Sequence, residues 1–397
     1  MNVYIIAISR GIYLIWALPN LHMEWVLLSI LKNAWYAAAF SDEVTDKPLA
    51  RTLIDEKLVL FRGKDGVVGL ILNRCPHRFA PLSAGRQVGD TLECPYHGLR
   101  FSREGKCVYN PHARNKGRLS AADIPSWPVM EKYGIIWFWP GDPARADPAT
   151  LPRIEFLERP EEYAVVKGLI HVGGHYELVV DNLLDLSHAA FIHPQFNGGS
   201  NAPEEILAAT KQRLERRERS VVNHRTRSGL GPSSAHVHLF GMDPAVPVET
   251  DLTMTWHPPA MLDFALGSWT TDQTREEGIH IPQLHVITPE TEFTAHYFFI
   301  NGRNRRQDDQ EVDRALLDFF EMAFARQDEP MIEMVQANMG AISDINELNP
   351  VLLPTDAAPV TARRMLAALI QSERSADRCG PAVTTSFQAA RRQASVD

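Results

Sequence analysis

The sequence predicts an α+β protein of two domains, of which the first is rich in β-strands and the second mixes strands with helices. With 397 residues, the chain exceeds the length that one hydrophobic core usually serves. Short apolar runs separated by turns fill the first third, and helical and strand periods alternate afterwards. The segment DPARADPATLP, rich in Pro, Ala and Asp, separates the two patterns and is typical of a linker.

Four segments follow from these patterns. We expect an apolar extension at 1–30, a β-rich domain with its linker at 31–150, a second domain at 151–372 and a disordered tail at 373–397. The extension is short for a membrane span and lacks the basic start of a signal peptide. We therefore expect it to lie upstream of a natural start at Met23.

Individual elements can be predicted inside both domains. LVLFRGKDGVVGLILN indicates two strands joined around residues 63–66, and YGIIWFWPG indicates a strand that ends at Pro140. In the second domain HYELVVDNLLDLSHAAFI has a helical period, whereas TMTWH, LDFALGSW and FTAHYFFI favour strands. Residues 311–339 are predicted to be helical with a break at Pro330, and 361–371 to form a final short helix.

Composition excludes several classes of function. A net charge of -9 provides no field that would attract nucleic acid, and 45 % hydrophobic with 22 % charged residues is typical of a soluble globular protein. The cysteines are too few for a disulfide scaffold, so we expect a reducing compartment, the cytoplasm, and no membrane partner. The four cysteines are Cys75, Cys94, Cys107 and Cys379.

One motif in the β-rich region has the composition of an iron–sulfur site. In NRCPHRFAPLSAGRQVGDTLECPYHGLRF, Cys75-x-His77 is followed, after sixteen residues, by Cys94-x-x-His97. Two thiolates on one iron and two imidazoles on the other complete a [2Fe–2S] centre of the Rieske type. A structural zinc ion accepts the same four ligands, although a C-x-H pair is unusual for zinc. Gly98 would let the backbone pass close to the cluster.

A second motif, DNLLDLSHAAFIHP, suggests a mononuclear metal site. His188 and His193 are five residues apart, about 140° around an ideal helix, so a continuous helix would separate their rings. Pro194 disfavours the α conformation at His193, and the helix should therefore end just before it. Two imidazoles and one carboxylate would form the facial triad of iron(II) oxygenases, although ordinary core histidines remain an alternative. Spacing alone leaves four carboxylates open: Glu321, Asp328, Glu329 and Glu333.

Together the two motifs resemble those of the Rieske non-haem iron oxygenases. The resemblance extends from Leu31 to about Ser372, includes LKNAWYAAAFSDEV and EKYGIIWFWPGD, and is greatest to the oxygenases of vanillate and dicamba O-demethylases. It implies a Rieske [2Fe–2S] domain followed by a catalytic domain of an antiparallel sheet and helices, similar to a helix-grip fold. It also implies a mononuclear iron(II) and dioxygen as co-substrate.

The resemblance assigns roles around the iron. Asp328 corresponds to the third ligand, because the family's carboxylate lies on a helix after a segment like Tyr297 to Asn304. Asp185 corresponds to an aspartate that links the first iron histidine to a Rieske histidine, here His97, of a neighbouring subunit. Asn182 matches an asparagine near the iron.

Three further residues correspond to substrate contacts. His285 matches a substrate-binding histidine and Phe319 a pocket tryptophan. Asp263 falls where an asparagine binds a substrate carboxylate, if a one-residue gap is accepted. An acid there would repel anionic substrates, whereas a structural acid in a strand turn is the alternative.

The expected activity is O-demethylation of a small methoxylated aromatic compound with release of formaldehyde. Electrons would come from NAD(P)H through a separate ferredoxin or reductase, and the family's usual assembly is a homotrimer. Ring hydroxylation or N-demethylation on the same scaffold is an alternative. A pure electron carrier or a zinc-binding module is another, but it would not need the second metal motif.

Overall fold

The structure, a computed structural model, describes residues 5–8, 11–14, 30–114, 116–194 and 202–379, and only the backbone of 5–8, 11–14 and 377–379. Strands β1 (Ile5–Ile8) and β2 (Gly11–Leu14) form an antiparallel hairpin. Residues 1–4, 9–10 and 15–29 of the predicted extension and residues 380–397 of the predicted tail lie outside the described residues. Within the described part, no helix combines the length and apolarity needed to cross a membrane.

Three small antiparallel sheets form the first part of the chain, in the orders β4-β5-β6, β11-β12-β3 and β10-β9-β8-β7. The predicted pair of strands is confirmed as β5 and β6, and the predicted apolar strand as β12, which is buried throughout. A run buried on both faces contains consecutive apolar residues instead of alternating ones. The strands are β3 (Tyr36–Phe40), β4 (Leu49–Leu53), β5 (Glu56–Arg62), β6 (Val68–Leu72), β7 (Arg86–Val88), β8 (Thr91–Glu93), β9 (Arg100–Phe101), β10 (Cys107–Tyr109), β11 (Val129–Lys132) and β12 (Ile135–Phe138).

One large antiparallel sheet dominates the second part. Its order is β13-β20-β19-β17-β16-β15-β14, and the short β18 pairs with β17. The three predicted strands are confirmed as parts of β16, β17 and β20. The strands are β13 (Ala164–Val172), β14 (Thr210–Arg216), β15 (Val221–Leu230), β16 (Val248–His257), β17 (Met261–Thr270), β18 (Ile279–His280), β19 (Gln283–Thr291) and β20 (Thr294–Arg303).

Helices accompany this sheet, which confirms the predicted α+β class. They are α1 (Tyr176–Leu184), α2 (Ala189–Ile192), α3 (Pro203–Ala209), α4 (Ser234–Phe240), α5 (Gln310–Phe320), α6 (Glu329–Met339) and α7 (Ala357–Cys379). A π-helical segment, Glu321–Asp328, joins α5 to α6.

Two predicted helix boundaries need correction. The break expected at Pro330 is not there, because the π-helical segment runs directly into α6 and the helical backbone continues through this proline. The irregularity is the π-helical segment that precedes it. The short helix predicted at 361–371 is α7, which continues to Cys379, so residues 373–379 are helical and do not belong to a disordered tail.

The two parts of the chain share hydrophobic core and direct hydrogen bonds. Thr288 of β19 donates to the carbonyl of Ala37 in β3 at 2.8 Å, and His296 of β20 contacts the carbonyl of Thr52 at 2.9 Å. The backbone N–H of Asn33 donates to the carboxylate of Glu373 in α7 at 3.2 Å. These contacts hold the β-rich part on the large sheet.

Candidate active site

The first candidate centre lies in two loops with the same backbone hydrogen bonds. In the first loop, Cys75 N–H donates to Ala80 and the carbonyl of Cys75 accepts from Phe79, both at 2.9 Å. In the second, Cys94 N–H donates to the carbonyl of Leu99 at 2.8 Å, and the carbonyl of Cys94 accepts from the N–H of Gly98 at 3.1 Å. Phe79 and Gly98 occupy equivalent left-handed positions, with φ of 60° and 72°. Glycine adopts this conformation without steric cost, whereas Phe79 does not.

These loops arrange the four predicted ligands as a [2Fe–2S] cluster requires. The thiols of Cys75 and Cys94 are buried, whereas His77 is exposed and its ring centroid lies 4.5 Å from that of His97. One iron can therefore take the inner thiolates and the other the outer imidazoles. Burial raises the pKa of the Cys75 thiol to about 11, so the free thiol is protonated near pH 7 and cluster binding must displace the proton.

The second candidate centre begins at the end of α1. His188 closes a 3₁₀ turn, Leu186–His188, and α2 ends at Ile192, one residue before His193. His193 has φ −114° and ψ 48°, outside the helical region. The predicted end of the helix before Pro194 is thereby confirmed, and the two rings come within 5.5 Å of one another.

Asp328, the last residue of the π-helical segment, provides the carboxylate. Its Oδ2 lies 3.1 Å from Nε2 of His193, and its Oδ1 lies 3.4 Å from Nε2 of His188. Ligand atoms about 2 Å from one metal ion and at right angles to each other would be about 3 Å apart. Because all three groups fall within 4.8 Å, they fit one metal ion. The other three candidate carboxylates are not part of this cluster.

Neighbouring groups fix the orientation of all three ligands. The Nδ1–H of His188 donates to the carbonyl of Asp185 at 2.6 Å, and the Nδ1–H of His193 donates to Oε1 of Gln327 at 2.8 Å. Both imidazoles therefore keep Nε2 available for a metal, as outer partners of metal-bound histidines do. Asn182 donates from Nδ2 to Asp328 at 3.2 Å, which places it beside the predicted iron site.

The contacts of Asp185 correct one expectation. His188 donates to its main-chain carbonyl and not to its carboxylate, because the carboxylate caps the 3₁₀ turn and accepts hydrogen bonds from the N–H and hydroxyl of Ser187, each at 3.0 Å. Nη1 of Arg225 lies 3.7 Å from the same carboxylate. Contact between Asp185 and His97 of another subunit stays a prediction.

A pocket of about 260 Å³ opens directly onto the three ligands. Its walls are mainly apolar and aromatic and include Leu252, Met254, Phe264, Phe319 and Phe320. Such walls exclude water and suit an aromatic ring.

His285 also lines this pocket, as predicted. Its Nδ1 shares a 2.7 Å hydrogen bond with the hydroxyl of Tyr297, and its Nε2 has no hydrogen-bond partner in the part of the chain that the structure describes. Burial lowers the pKa of His285 to about 3, so the ring is neutral at physiological pH. A neutral imidazole can orient a substrate by one hydrogen bond. The substrate roles of His285 and Phe319 stay predictions.

The prediction that Asp263 lies in the substrate pocket is wrong. Side chains alternate between the two faces of β17, and Phe264 and Leu266 reach the pocket with the metal ligands. Asp263 instead lines a cavity on the opposite face, together with Glu155 and Arg159. Because a shift of one residue reverses the face of a strand, the gap in the sequence comparison accounts for the error.

Three pocket or ligand-supporting residues were not predicted. Gln327 precedes Asp328 in sequence, but its contact with His193 depends on the π-helical geometry. Arg225 and Arg227 of β15 line the pocket in a buried state. The sequence contains one signal for them, since they continue the buried alternation of Val221 and Asn223.

Comparison with protein families covers both centres. Residues 34–128 match the model of the Rieske [2Fe-2S] domain, and residues 172–372 match that of the vanillate O-demethylase oxygenase C-terminal domain. The chain belongs to the Rieske non-haem iron oxygenases. It is thus the terminal oxygenase of a Rieske monooxygenase system acting on aromatic compounds, with a [2Fe–2S] cluster and a mononuclear iron as cofactors.

Several members of this family are similar over nearly their whole length. The oxygenase component of dicamba O-demethylase from Stenotrophomonas maltophilia is 37 % identical, with 87 % of this chain and 99 % of that protein covered. The oxygenase component of chloroacetanilide N-alkylformylase from Rhizorhabdus wittichii is also 37 % identical, with 86 % and 96 % covered. The crystal structure of dicamba monooxygenase bound to dicamba superposes with a TM-score of 0.80 at 34 % identity, covering 87 % of this chain and 99 % of that one.

Proposed function

We propose that this Rieske oxygenase removes a methyl group from a methoxylated aromatic compound and releases formaldehyde. The observation that carries the proposal is the apolar pocket, which opens onto His188, His193 and Asp328 in a chain 37 % identical to a dicamba O-demethylase oxygenase component. The reaction consumes the methyl ether, dioxygen, two electrons and two protons, and yields a phenol, formaldehyde and water.

Different residues of the chain would hold the iron and orient its ligands. His188, His193 and Asp328 would hold the iron, which when bound supplies the activation of dioxygen. Asn182 orients Asp328 by its hydrogen bond, and Gln327 fixes the ring of His193. The hydroxylated methyl ether is a hemiacetal, which collapses to the phenol and formaldehyde.

The aromatic and aliphatic walls of the pocket also limit side reactions. They exclude bulk water, which limits unproductive release of the oxidising equivalents. His285 can donate or accept one hydrogen bond at Nε2, and Tyr297 holds its ring in place. Phe319 would contact the face or edge of the substrate ring.

We further propose a cyclic homotrimer in the cytoplasm, in which electrons cross from the Rieske cluster of one subunit to the iron of the next through Asp185. The histidine side of the Rieske loops is exposed, and the aromatic side chains of Phe79 and Tyr96 beside it are 70 % and 62 % exposed. In a closed ring of subunits with head-to-tail interfaces, each subunit would have this surface covered by its neighbour. In this scheme the limits 31–150 and 151–372 separate the electron-accepting and oxygen-activating domains. A separate ferredoxin or reductase, reduced by NAD(P)H, would supply the electrons.

A product screen tests the proposed reaction. The purified protein with a reconstituted reductase is given a panel of methoxylated aromatic compounds, and formaldehyde is measured beside dioxygen consumption. We expect formaldehyde and the phenol in equal amounts. A product that gains one oxygen on the ring and keeps its methyl group would instead show ring hydroxylation. An N-methylated panel tests the remaining alternative, which the similarity to an N-alkylformylase component favours.

A further inference from the structure

Two arginine side chains of β15 are buried at the pocket that contains the iron ligands. Arg225 is 4 % exposed and Arg227 is 7 % exposed, and both line the pocket. They alternate along the strand with Thr226, which is exposed, so both guanidinium groups lie on one face of the sheet. Arginine is rarely buried to this extent without a partner.

The positive charge of this pair exceeds the negative charge near it. Of the described residues, one acid lies near Arg225, Asp185 at 3.7 Å, and none forms a hydrogen bond with its Nε or Nη1 atom. Arg227 forms neither an ion pair nor a side-chain hydrogen bond with any described residue, and its Nε is buried and unpaired. The segment QFNGGSN at 195–201, outside the described residues, contains no acid. Among the described residues, the pair therefore has one carboxylate for two cations.

This arrangement is costly unless another group completes it. Burial lowers the pKa of both guanidinium groups, yet arginine remains charged at all physiological pH values. A buried charge without a partner is strongly destabilising, and the planar guanidinium fork matches a carboxylate or sulfonate in shape and charge.

We propose that Arg227, assisted by Arg225, binds an anionic substituent of the substrate, so that the enzyme acts on an aromatic acid. This inference rests on the proposed function, because it names the class of substrate for the same pocket. The anion enters at the β15 side of the pocket while the ring occupies the space lined by Phe264, Phe319 and Phe320.

The position of Asp263 does not oppose an anionic substrate in this pocket. Asp263, which would have repelled a carboxylate, lies on the other face of β17 and does not line this pocket. Asp328, the one acid among the described residues that line it, would be taken up as a ligand of the iron. His285 is neutral and provides a hydrogen bond without a charge. Arg227 is thus the residue that distinguishes an acid from its neutral analogue.

Equilibrium binding without turnover tests the inference. The metal-loaded, oxidised protein is titrated calorimetrically, without reductant, with 3-methoxybenzoate, 3-methoxybenzenesulfonate and the neutral 3-methoxybenzamide. We expect both anions to bind roughly tenfold or more tightly than the amide. Arg227→Gln should remove most of this preference and leave affinity for the amide within about twofold. Arg227→Lys keeps the charge without the fork and should be intermediate.

Arg216→Gln is the matched control, because it removes the same charge from an exposed position on the adjacent strand β14. It should leave all three affinities unchanged. The visible absorption of the cluster shows that each variant is folded, and the wild-type comparison of anions with amide does not depend on any variant.

Three results would overturn the inference. They are equal wild-type affinity for the anions and the amide, an equal effect of Arg227→Gln on all three ligands, or an equal loss of anion affinity in Arg216→Gln. Formaldehyde release from the amide under reducing conditions would then show that the proposed demethylation stands although the anion site does not. Tight anion binding that is lost in Arg227→Gln, without formaldehyde from any ligand, would support the anion site and refute demethylation.

Discussion

The two metal centres of this chain are built in opposite ways. The Rieske ligands come from two neighbouring loops of similar geometry, with the cysteines inside and the histidines outside. The iron ligands combine a helix end with a carboxylate 135 residues further along the chain, and the histidine and the carboxylate that meet there are buried. A centre that exchanges electrons needs imidazoles near its surface, whereas a centre that activates dioxygen needs an enclosed pocket. Local sequence is therefore enough to define the first centre but not the second.

The strongest test of this division removes one centre and keeps the other. His188→Ala should lose the mononuclear iron, because two ligands remain, and should retain the Rieske spectrum, because the loops of Cys75 and Cys94 do not depend on it. Product formation should fall by at least ~100-fold, since substitutions of outer-shell residues alone cost ~10–100-fold. Iron and sulfide analysis with EPR of the reduced protein provides the measurement. Simultaneous loss of the cluster would show that the two centres fold as one unit.

The choice of carboxylate gives the next largest effect. Asp328→Asn should weaken iron(II) binding by roughly 100-fold, because it removes the anionic ligand between the two histidines. Glu333→Gln is the matched control, since Glu333 is an exposed acid on the following helix. Anaerobic titration with iron(II) measures the iron affinity of both variants. If Glu333→Gln lost iron and Asp328→Asn kept it, the ligand assignment would be wrong.

Asp185 connects the two centres in the proposed trimer. Asp185→Asn should keep both metals but lower turnover ~10–100-fold, because the charge between the cluster and the iron site disappears. Ser187→Ala is the control, as it removes one hydrogen bond to the same carboxylate and leaves the charge. Single-turnover oxidation of the cluster, followed by absorption, measures electron transfer directly. Unchanged rates in Asp185→Asn would remove this residue from the electron path.

The smallest expected effect is at Asp263, which belongs to neither centre. Burial, with a contribution from Glu155, raises the pKa of its carboxyl from 3.8 to about 6. An acid with a raised folded pKa is most favourable when protonated, so its contribution to stability declines as pH rises from about 4 to 6. Asp263→Asn should therefore be more stable than the wild type by about 1–2 kcal/mol at pH 7.5, and less so at pH 5.

Melting curves at both pH values check this prediction. Substrate preference should not change in Asp263→Asn, because the side chain lies on the face of β17 opposite the pocket. A change in the preference between an aromatic acid and its amide would return Asp263 to the substrate site.

The same difference between the two metal centres decides what could be predicted from the sequence. The four Rieske ligands, both iron histidines and the end of the helix before Pro194 depend on residues close in sequence. Asp328 came only from family resemblance, since spacing allowed four acids and the fold selects one. Asp263 was misplaced because a single residue of register reverses the face of a strand. The unpaired charge of Arg227 could not be predicted, because it depends on which acids the fold brings near.

The geometry of the iron site depends on the number of residues in the π-helical segment. A π turn accommodates one residue more than an α turn, and this places the consecutive Gln327 and Asp328 against the same histidine. Deleting one residue between Glu321 and Asp328 would remove the extra residue of the π turn and allow an ordinary α-helix, in which the side chains of Gln327 and Asp328 would take a different angle to each other around the helix axis. Such a deletion would improve the regularity of the helix while disturbing the contacts of Gln327 and Asp328 with His193. The π-helical conformation, which is less stable than an α-helix, thus serves here to place the Asp328 carboxylate against His193.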